Sequence, residues 1–590
     1  MIPSPVTGRG TSLGAIEAGL TVVAIALVFF WPWFGAVGFR KFEQALGRLA
    51  RRRGLAVCVV GFTAFLLRLA ILPLSPVPNP FILDAFSYLL AGDTFASGRL
   101  TNPTPAMWTH FETFQITMQP TYMSMYFPAH GMVLAAGKLL TGHPWYGLLV
   151  VSSLMCASIC WMLQAWLPPT WALLGGMLAV MRLGLFSYWI NTYSGGGAIA
   201  ALGGALVLGA LPRLMRHVRL RDAVMLSIGV IVLANSRPYE GMLLCIPVAV
   251  VLIKWLFTSP RRPPIDVLAR LATIPAVLVI AATVWMGYYN YRVFGDPFTE
   301  PYKLSRTTYA TAPHFILQSP RPEPAYRHAV MRDFYTGWEL SYFEKVRTPR
   351  GFLTQTLVKL MTATVFYAGF ALLPLIFLLR RVIADRRVRF LVVCVLVLAA
   401  GMLMETWLIP HYLSPFTAAF YAIGLQTMRH LRVWSPDGRP VGLGMVRAIV
   451  TICVILTGLR AFSGPLHLRL AGWPTWTWYG SEDLGIPRAR VEAELERKPG
   501  KQLAIVRYSP EHQSVDEWVY NAADIDRSKI IWAREMQPAD DLELIRHYKD
   551  RNVWLVEPDK KPAEISPYVV TDRETATLRQ VGATIPEKLR

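Results

Sequence analysis

"NPFILDAFSYLLAGDTFASGRL", residues 79–100, follows within a few residues of an apolar run, 54–73, long enough to cross a bilayer. Its reading decides whether the chain is leaving a membrane or continuing a soluble core. Two carboxylates, Asp84 and Asp93, stand among Phe, Tyr and Leu. On a helix beginning near Asp84, Ile82, Leu83, Phe86, Leu89 and Leu90 share one face, while Asp84, Ser87 and Tyr88 fall largely away. That spacing predicts an amphipathic helix lying on a membrane, with Asp84 at its N-terminal end. Asp84 is then either a helix cap, a role Asp favours, or a carboxylate doing chemistry at the membrane surface. Asp93 reads as a solvated helix-end acid or as part of the same polar site.

Composition supports the membrane reading. The 590 residues are 53% hydrophobic and 16% charged, against about 25% charged in ordinary soluble domains. Mean hydropathy is +0.37. The net charge of +21 suggests nucleic acid only until the cations are located, because they cluster in short loops between apolar runs. All six cysteines lie inside apolar segments, which leaves no disulfide framework or zinc spacing to read.

Twelve apolar runs are candidate spans: 13–35, 54–73, 145–167, 170–190, 196–212, 222–236, 240–257, 268–289, 357–379, 389–408, 411–428 and 442–462. If they alternate, the basic loops 40–53, 213–221, 259–264, 380–389 and 429–440 all fall on one side, which the positive-inside rule makes cytoplasmic. The opposite side receives the long segments 74–144, 290–356 and 463–590, and loops of that length are seldom filler. This divides the chain into an extra N-terminal span with its basic loop (1–53), a transmembrane core (54–462) and an extracytoplasmic tail (463–590). In the tail, "KQLAIVRY" (501–508), "SKIIWARE" (528–535) and "NVWLVEP" (552–558) read as strands. "SVDEWVYNAADI" and "ADDLELIRHY" read as helices, predicting a small three-layer α/β domain. The expected fold is therefore mainly α and polytopic, with extracytoplasmic loops and a small C-terminal α/β domain.

Polar residues gather at the extracytoplasmic ends of the runs. Residues 101–130 set Trp108, Phe111, Phe114, Tyr122 and Tyr126 among His110, Glu112, Gln119 and His130. Aromatic faces beside polar groups suit sugar rings, although packing on the membrane surface explains them equally well. "SYWINTYSGGG" (187–197) places Asn191 and Tyr193 before glycines that permit close backbone approach. "ANSRPYEG" (234–241) puts Arg237 on the side poor in arginine, either paired with Glu240 or free to clamp a phosphate. "WLIPHYLSP" (407–415) contributes His411 and Tyr412, and "FTEPYKLSRTTY" (298–309) contributes Lys303 and Arg306.

Together these features resemble the GT-C glycosyltransferase superfamily, which includes protein O-mannosyltransferases and lipid A aminoarabinose transferases. A carboxylate in the first outer loop, just after a span, is that superfamily's hallmark. The runs "DAFSYLLAGDTFASGRLTNPT", "NSRPYEG" and "PHYLSP" further resemble a group of bacterial proteins described only as GT-C-like. The resemblance covers roughly residues 50–460. It implies transfer of a sugar from a polyprenyl-phosphate donor with inversion, with Asp84 as general base on the acceptor hydroxyl. It implies cations for the departing phosphate, for which Arg237, Lys303, Arg306 and His411 are candidates. Asp93, Trp108, Glu112, Tyr122, Asn191 and Tyr412 are the candidates for sugar or acceptor contacts. Partners are then the lipid donor, membrane lipids and a glycan, lipid or protein acceptor, at the periplasmic face of a bacterial inner membrane.

The sequence departs from the family pattern at two points. Ala85 stands where several of the families carry a second acid, so no metal site is called for, although a divalent ion stays open. "YMSMYFPAH" (122–130) offers Met125 and no lysine, whereas aminoarabinose transferases place a Lys in this loop. The competing readings are a GT-C-like scaffold that binds lipid without chemistry, and a transporter. Transporters favour repeated halves and ionisable groups near mid-span. No repeated halves are visible here, and Arg68 and Arg182 are the main mid-span charges.

Overall fold

The computed structural model describes residues 11–259, 263–470, 476–481 and 483–569; the chain start, residues 260–262 of one basic loop and the tail end 570–590 lie outside them. The protein is mainly helical, with a small mixed sheet toward the C-terminus. Among the described residues, seven helices are long and apolar enough to cross a membrane: Leu13–Phe30, Arg53–Ala70, Trp145–Trp166, Gly197–His217, Pro238–Thr258, Ile265–Phe294 and Val441–Ala461. A pair bent by 113°, Leu373–Ala384 and Arg389–Met404, makes an eighth if it is one span. The chain is thus an integral membrane protein with several spans.

Seven or eight is fewer than the twelve apolar runs, and the reasons are local. Run 170–190 is α-helical only over Pro169–Ala179, then passes through a π-helical segment, Val180–Gly184. Helix Leu220–Ala234 has 15 residues, about 22 Å at 1.5 Å per residue, short of a hydrocarbon core about 30 Å thick. Run 357–379 divides between helix Pro349–Tyr367 and the 3-10 segment Leu373–Leu378. Run 411–428 opens as a 3-10 stretch, Pro410–Phe416, containing two prolines. Hydropathy registers apolarity but not these breaks.

The bundle has two distinct ends. At the basic end, Arg213 donates to the Trp161 carbonyl (2.7 Å), Arg216 to Ala165 (3.1 Å), and Arg447 pairs with Glu43 (2.9 Å). At the other end, Arg68 donates to Asn191 (3.0 Å), Trp145 to the Ile190 carbonyl (3.0 Å) and the Ala129 amide to Asn235 (3.0 Å). Inside the bundle Arg182 faces Glu17 of the first span at 3.8 Å, and its guanidinium lies over Trp478. A charge within a span finds a partner in the interior, and here the pair ties the first helix to the rest.

The stretch that opened the reading forms helix Leu83–Ala96. It does not lie on a membrane. Leu83, Ala85, Phe86, Ser87, Tyr88, Leu90, Ala91, Gly92 and Thr94 are all buried. Tyr520 of the tail stacks on Phe86 (4.4 Å between rings), and Tyr126 stacks on Tyr88 (4.3 Å). On the remaining side Gly92 packs against Leu134 of helix Pro128–Thr141. Segments far away in sequence cover both faces, which an amphipathic pattern cannot anticipate.

The tail's sheet has strand order Ile530–Arg534, Lys501–Val506, Arg551–Glu557, Glu564–Pro567. The first three strands are parallel and the last antiparallel. The first two are buried almost throughout, so they read as continuous apolar runs. Helix Ile486–Arg497 covers one face through Val491 and Leu495, and Pro538–His547 packs on the other through Leu542 and Ile545. That second face continues into Phe86, Phe111, Phe114 and Tyr122, joining the tail to the outer loops.

The expected helix 514–525 is absent, and the segment is irregular. Asn521 explains this. Its amide donates to the Trp532 carbonyl and its Oδ1 accepts from the Trp532 N–H, both at 2.8 Å, satisfying the open edge of strand Ile530–Arg534. The segment is also the strap that docks the tail: the Ala523 amide donates to Asp93 (2.8 Å) and Tyr122 donates to the Asn521 carbonyl (3.0 Å). Asn521→Ala strands two backbone groups and is expected to cost about 1–3 kcal/mol. Earlier thermal unfolding and faster amide exchange at Trp532 would show it; unchanged exchange would contradict the edge-cap role.

Candidate active site at the end of the bundle

Helix Leu83–Ala96 begins with Ile82 as its N-cap residue, which makes Asp84 a first-turn residue and not the cap. Its Oδ1 accepts a hydrogen bond from the Tyr126 hydroxyl at 2.8 Å. Burial pushes the Asp84 carboxyl above its ordinary value; hydrogen bonds from Tyr126 and Gln115 and the charge of Arg237 pull in the other direction without overcoming it. The side chain is part-buried, not sealed, so it pairs a desolvated carboxylate with access.

Arg237 precedes helix Pro238–Thr258. One terminal nitrogen donates to the Gly195 carbonyl at 3.0 Å, the other faces Glu240 at 3.6 Å, and the guanidinium lies 4.6 Å over the Tyr412 ring. Its Nε is buried with no partner. The local pairing and the phosphate-clamp readings of Arg237 are therefore compatible: Glu240 holds the group while an N–H is left over.

The glycine run explains how these groups converge. Gly195 and Gly196 both have positive φ (79° and 61°). A Cβ on Gly195 would stand 2.4 Å from His411 Nδ1, and one on Gly196 would stand 3.3 Å from His130 Cβ. Only glycine lets the backbone pass between two imidazoles in this conformation. His411 Nδ1 meets the Tyr188 hydroxyl at 2.9 Å, and His130 Nε2 meets the Tyr193 carbonyl at 3.0 Å. Burial holds His130 down to about 4, which leaves it neutral. Gly195→Ala is expected to displace His411 and cost about 1–2 kcal/mol for the left-handed backbone alone. Retention of both melting temperature and activity would contradict this arrangement.

Behind Arg237 lies a second layer. Glu405 is fully buried; its Oε1 faces His314 at 3.3 Å and its Oε2 has no partner. His314 Nδ1 meets the Tyr302 hydroxyl at 3.3 Å, and burial pushes His314 down to about 4.

Of the four cations singled out for phosphate, Arg237 and His411 come together near Asp84. Arg306 does not: Glu339 holds it through two bonds (2.6 and 2.9 Å) and the Ala312 carbonyl through a third (2.6 Å). Lys303 is exposed on helix Pro301–Tyr309. Tyr412 is in the cluster, beneath Arg237. Asn191 is engaged by Arg68. Asp93, which pairs with Lys138, and Tyr122 serve the seam with the tail. Glu112 accepts from Tyr309 (3.0 Å) and faces Arg327, which covers Trp108. Among the described residues no group of three or more His, Cys, Asp or Glu is arranged to hold a metal ion.

Sequence reasoning missed Glu405 and His314, and it named Tyr126 without pairing it with Asp84. Glu405 left a faint signal, an acid closing an apolar run at the same end as Arg237.

The chain matches no protein-family model and no curated protein. Solved structures similar to it cover most of its length at TM-scores below 0.5. ArnT from Cupriavidus metallidurans in the apo state shares 11% identity, with 92% of this chain and 95% of that chain covered and a TM-score of 0.47. The same protein bound to undecaprenyl phosphate shares 11%, with 90% and 95% covered and a TM-score of 0.44. The Archaeoglobus fulgidus oligosaccharyltransferase tethered with an acceptor peptide shares 10%, with 85% and 68% covered and a TM-score of 0.44.

Proposed function

We propose that the protein is a membrane glycosyltransferase that moves a sugar from a polyprenyl-phosphate donor to an extracytoplasmic acceptor with inversion. The observation that carries this reading is Asp84: a part-buried carboxylate in the first turn of a helix, raised in pKa by burial, held by Tyr126 and within electrostatic reach of Arg237. Asp84 takes the proton from the acceptor hydroxyl. The acceptor oxygen bonds to the anomeric carbon from the face opposite the leaving group. The bond from that carbon to the phosphate oxygen breaks, and its electron pair goes to the lipid phosphate. Arg237, with its spare N–H, stabilises the charge that develops there. Tyr126 positions the base. His411 fixes the floor beneath Arg237 through the Gly195 turn, and Tyr412 supports the guanidinium from below.

The distribution of cations supports the periplasmic face of a bacterial inner membrane as the location, with the site at the end away from the basic loops. Product configuration tests the reading. A single displacement inverts the anomeric centre, so nuclear magnetic resonance of the glycosylated product is expected to show the configuration opposite to the donor. Retention would call for a covalent intermediate that a lone Asp84 does not explain.

A further inference from the structure

Beside the Asp84 cluster, residues 74–82 and 188–192, together with residues 460–470, 476–481 and 483–484, border a cavity of about 280 Å³. Its wall is mixed: Leu74, Phe81 and Leu484 are apolar, while Thr192 and Thr477 offer hydroxyl groups. Arg460 lines it, donating to the Tyr479 carbonyl (2.7 Å) and to Ser463 (3.2 Å). Arg68 stands directly behind the wall. It donates to the Ser75 carbonyl (2.9 Å) and to Asn191 Oδ1 (3.0 Å), residues that themselves border the cavity, and its Nε has no partner.

Both arginines are buried, and all their acceptors are neutral. Neither donates to a carboxylate among the described residues. Asp483 also borders the cavity but is exposed to solvent, where the Asn79 amide and side chain (3.3 and 2.9 Å) and the Gly485 amide (3.0 Å) hold it away from both arginines' hydrogen bonds. A buried charge without a counter-charge is costly, and an anion entering this cavity supplies one.

We propose that this cavity is an anion subsite, separate from the one at Arg237, that takes the phosphate head of an amphiphile while its apolar lip takes the start of the chain. On the transferase reading, on which this last step rests, the occupant is the acceptor: a phosphate-bearing lipid whose hydroxyl reaches Asp84. Ile82 and Tyr188 form the passage, since both border the cavity, Ile82 is the N-cap of the Asp84 helix and Tyr188 holds His411.

The test is native mass spectrometry of the full-length protein in neutral detergent with geranylgeranyl monophosphate. Two molecules are expected per wild-type chain, one in Arg460→Gln and one in Arg237→Gln. Arg460→Lys, which keeps the charge, should retain the second site within a few-fold, while Arg460→Gln weakens it at least tenfold. Displacement by phosphatidic acid but not by geranylgeraniol supports a phosphate head on any apolar chain. Displacement by inorganic phosphate at the same concentration overturns the amphiphile part. A single site lost in Arg237→Gln and unchanged in Arg460→Gln overturns the subsite while leaving the transferase standing. A site lost only in Arg460→Gln, in a protein that transfers no sugar, sinks the transferase instead.

Discussion

Asp84→Asn is expected to lower kcat by about 10²–10⁴-fold, the usual contribution of a general base, and at the same time to raise the melting temperature. The second half follows from linkage. Burial raises the folded-state pKa of Asp84 above its ordinary value of 3.8, so the folded protein prefers the protonated form. The stability this group contributes is fully present below the ordinary value and is lost as pH rises through the folded one. At neutral pH the ionised carboxylate is therefore a net cost, and Asn removes it while keeping the shape. Wild type should gain stability on acidification through that window, and Asp84→Asn should not. Activity runs the opposite way, because the base must be ionised: the acid limb of the wild-type profile should lie above 3.8 and vanish in the variant. Loss of activity with loss of stability would mean that Asp84 is merely structural.

Arg237→Gln is the second large effect. It breaks a buried pair and leaves Glu240 facing no cation, with Glu405 behind it. Removing one partner of such a pair costs about 3–5 kcal/mol. The double variant Arg237→Gln/Glu240→Gln relieves the stranded charge and is expected to recover most of the melting temperature. It should not recover donor binding, because on the proposed reading the guanidinium is the group that meets the phosphate. Recovery of both would assign Arg237 to architecture alone.

The membrane class was legible in sequence, because hydropathy is a local property; of the four cations named for phosphate, only Arg237 and His411 fall in one cluster with Asp84. The span count was not, because the π segment at Val180–Gly184 and the 3-10 stretch at Pro410–Phe416 leave hydropathy unchanged. The burial of helix Leu83–Ala96 was hidden because its cover comes from Tyr520 and Leu134. Arg306 looked available until Glu339, 33 positions away, was seen to occupy it. Segment 514–525 carried a helical pattern, but Asn521 is spent on the edge of a strand. In the last three cases a partner elsewhere in the chain overrode a local preference.

The most direct test of Asp84 as the base of a lipid-linked-sugar transferase is release of radiolabelled sugar from polyprenyl-phosphate donors to acceptor by purified full-length protein, wild type against Asp84→Asn. The account predicts turnover in wild type and near-complete loss in an equally folded, more thermostable variant. Equal turnover in the two proteins would contradict it.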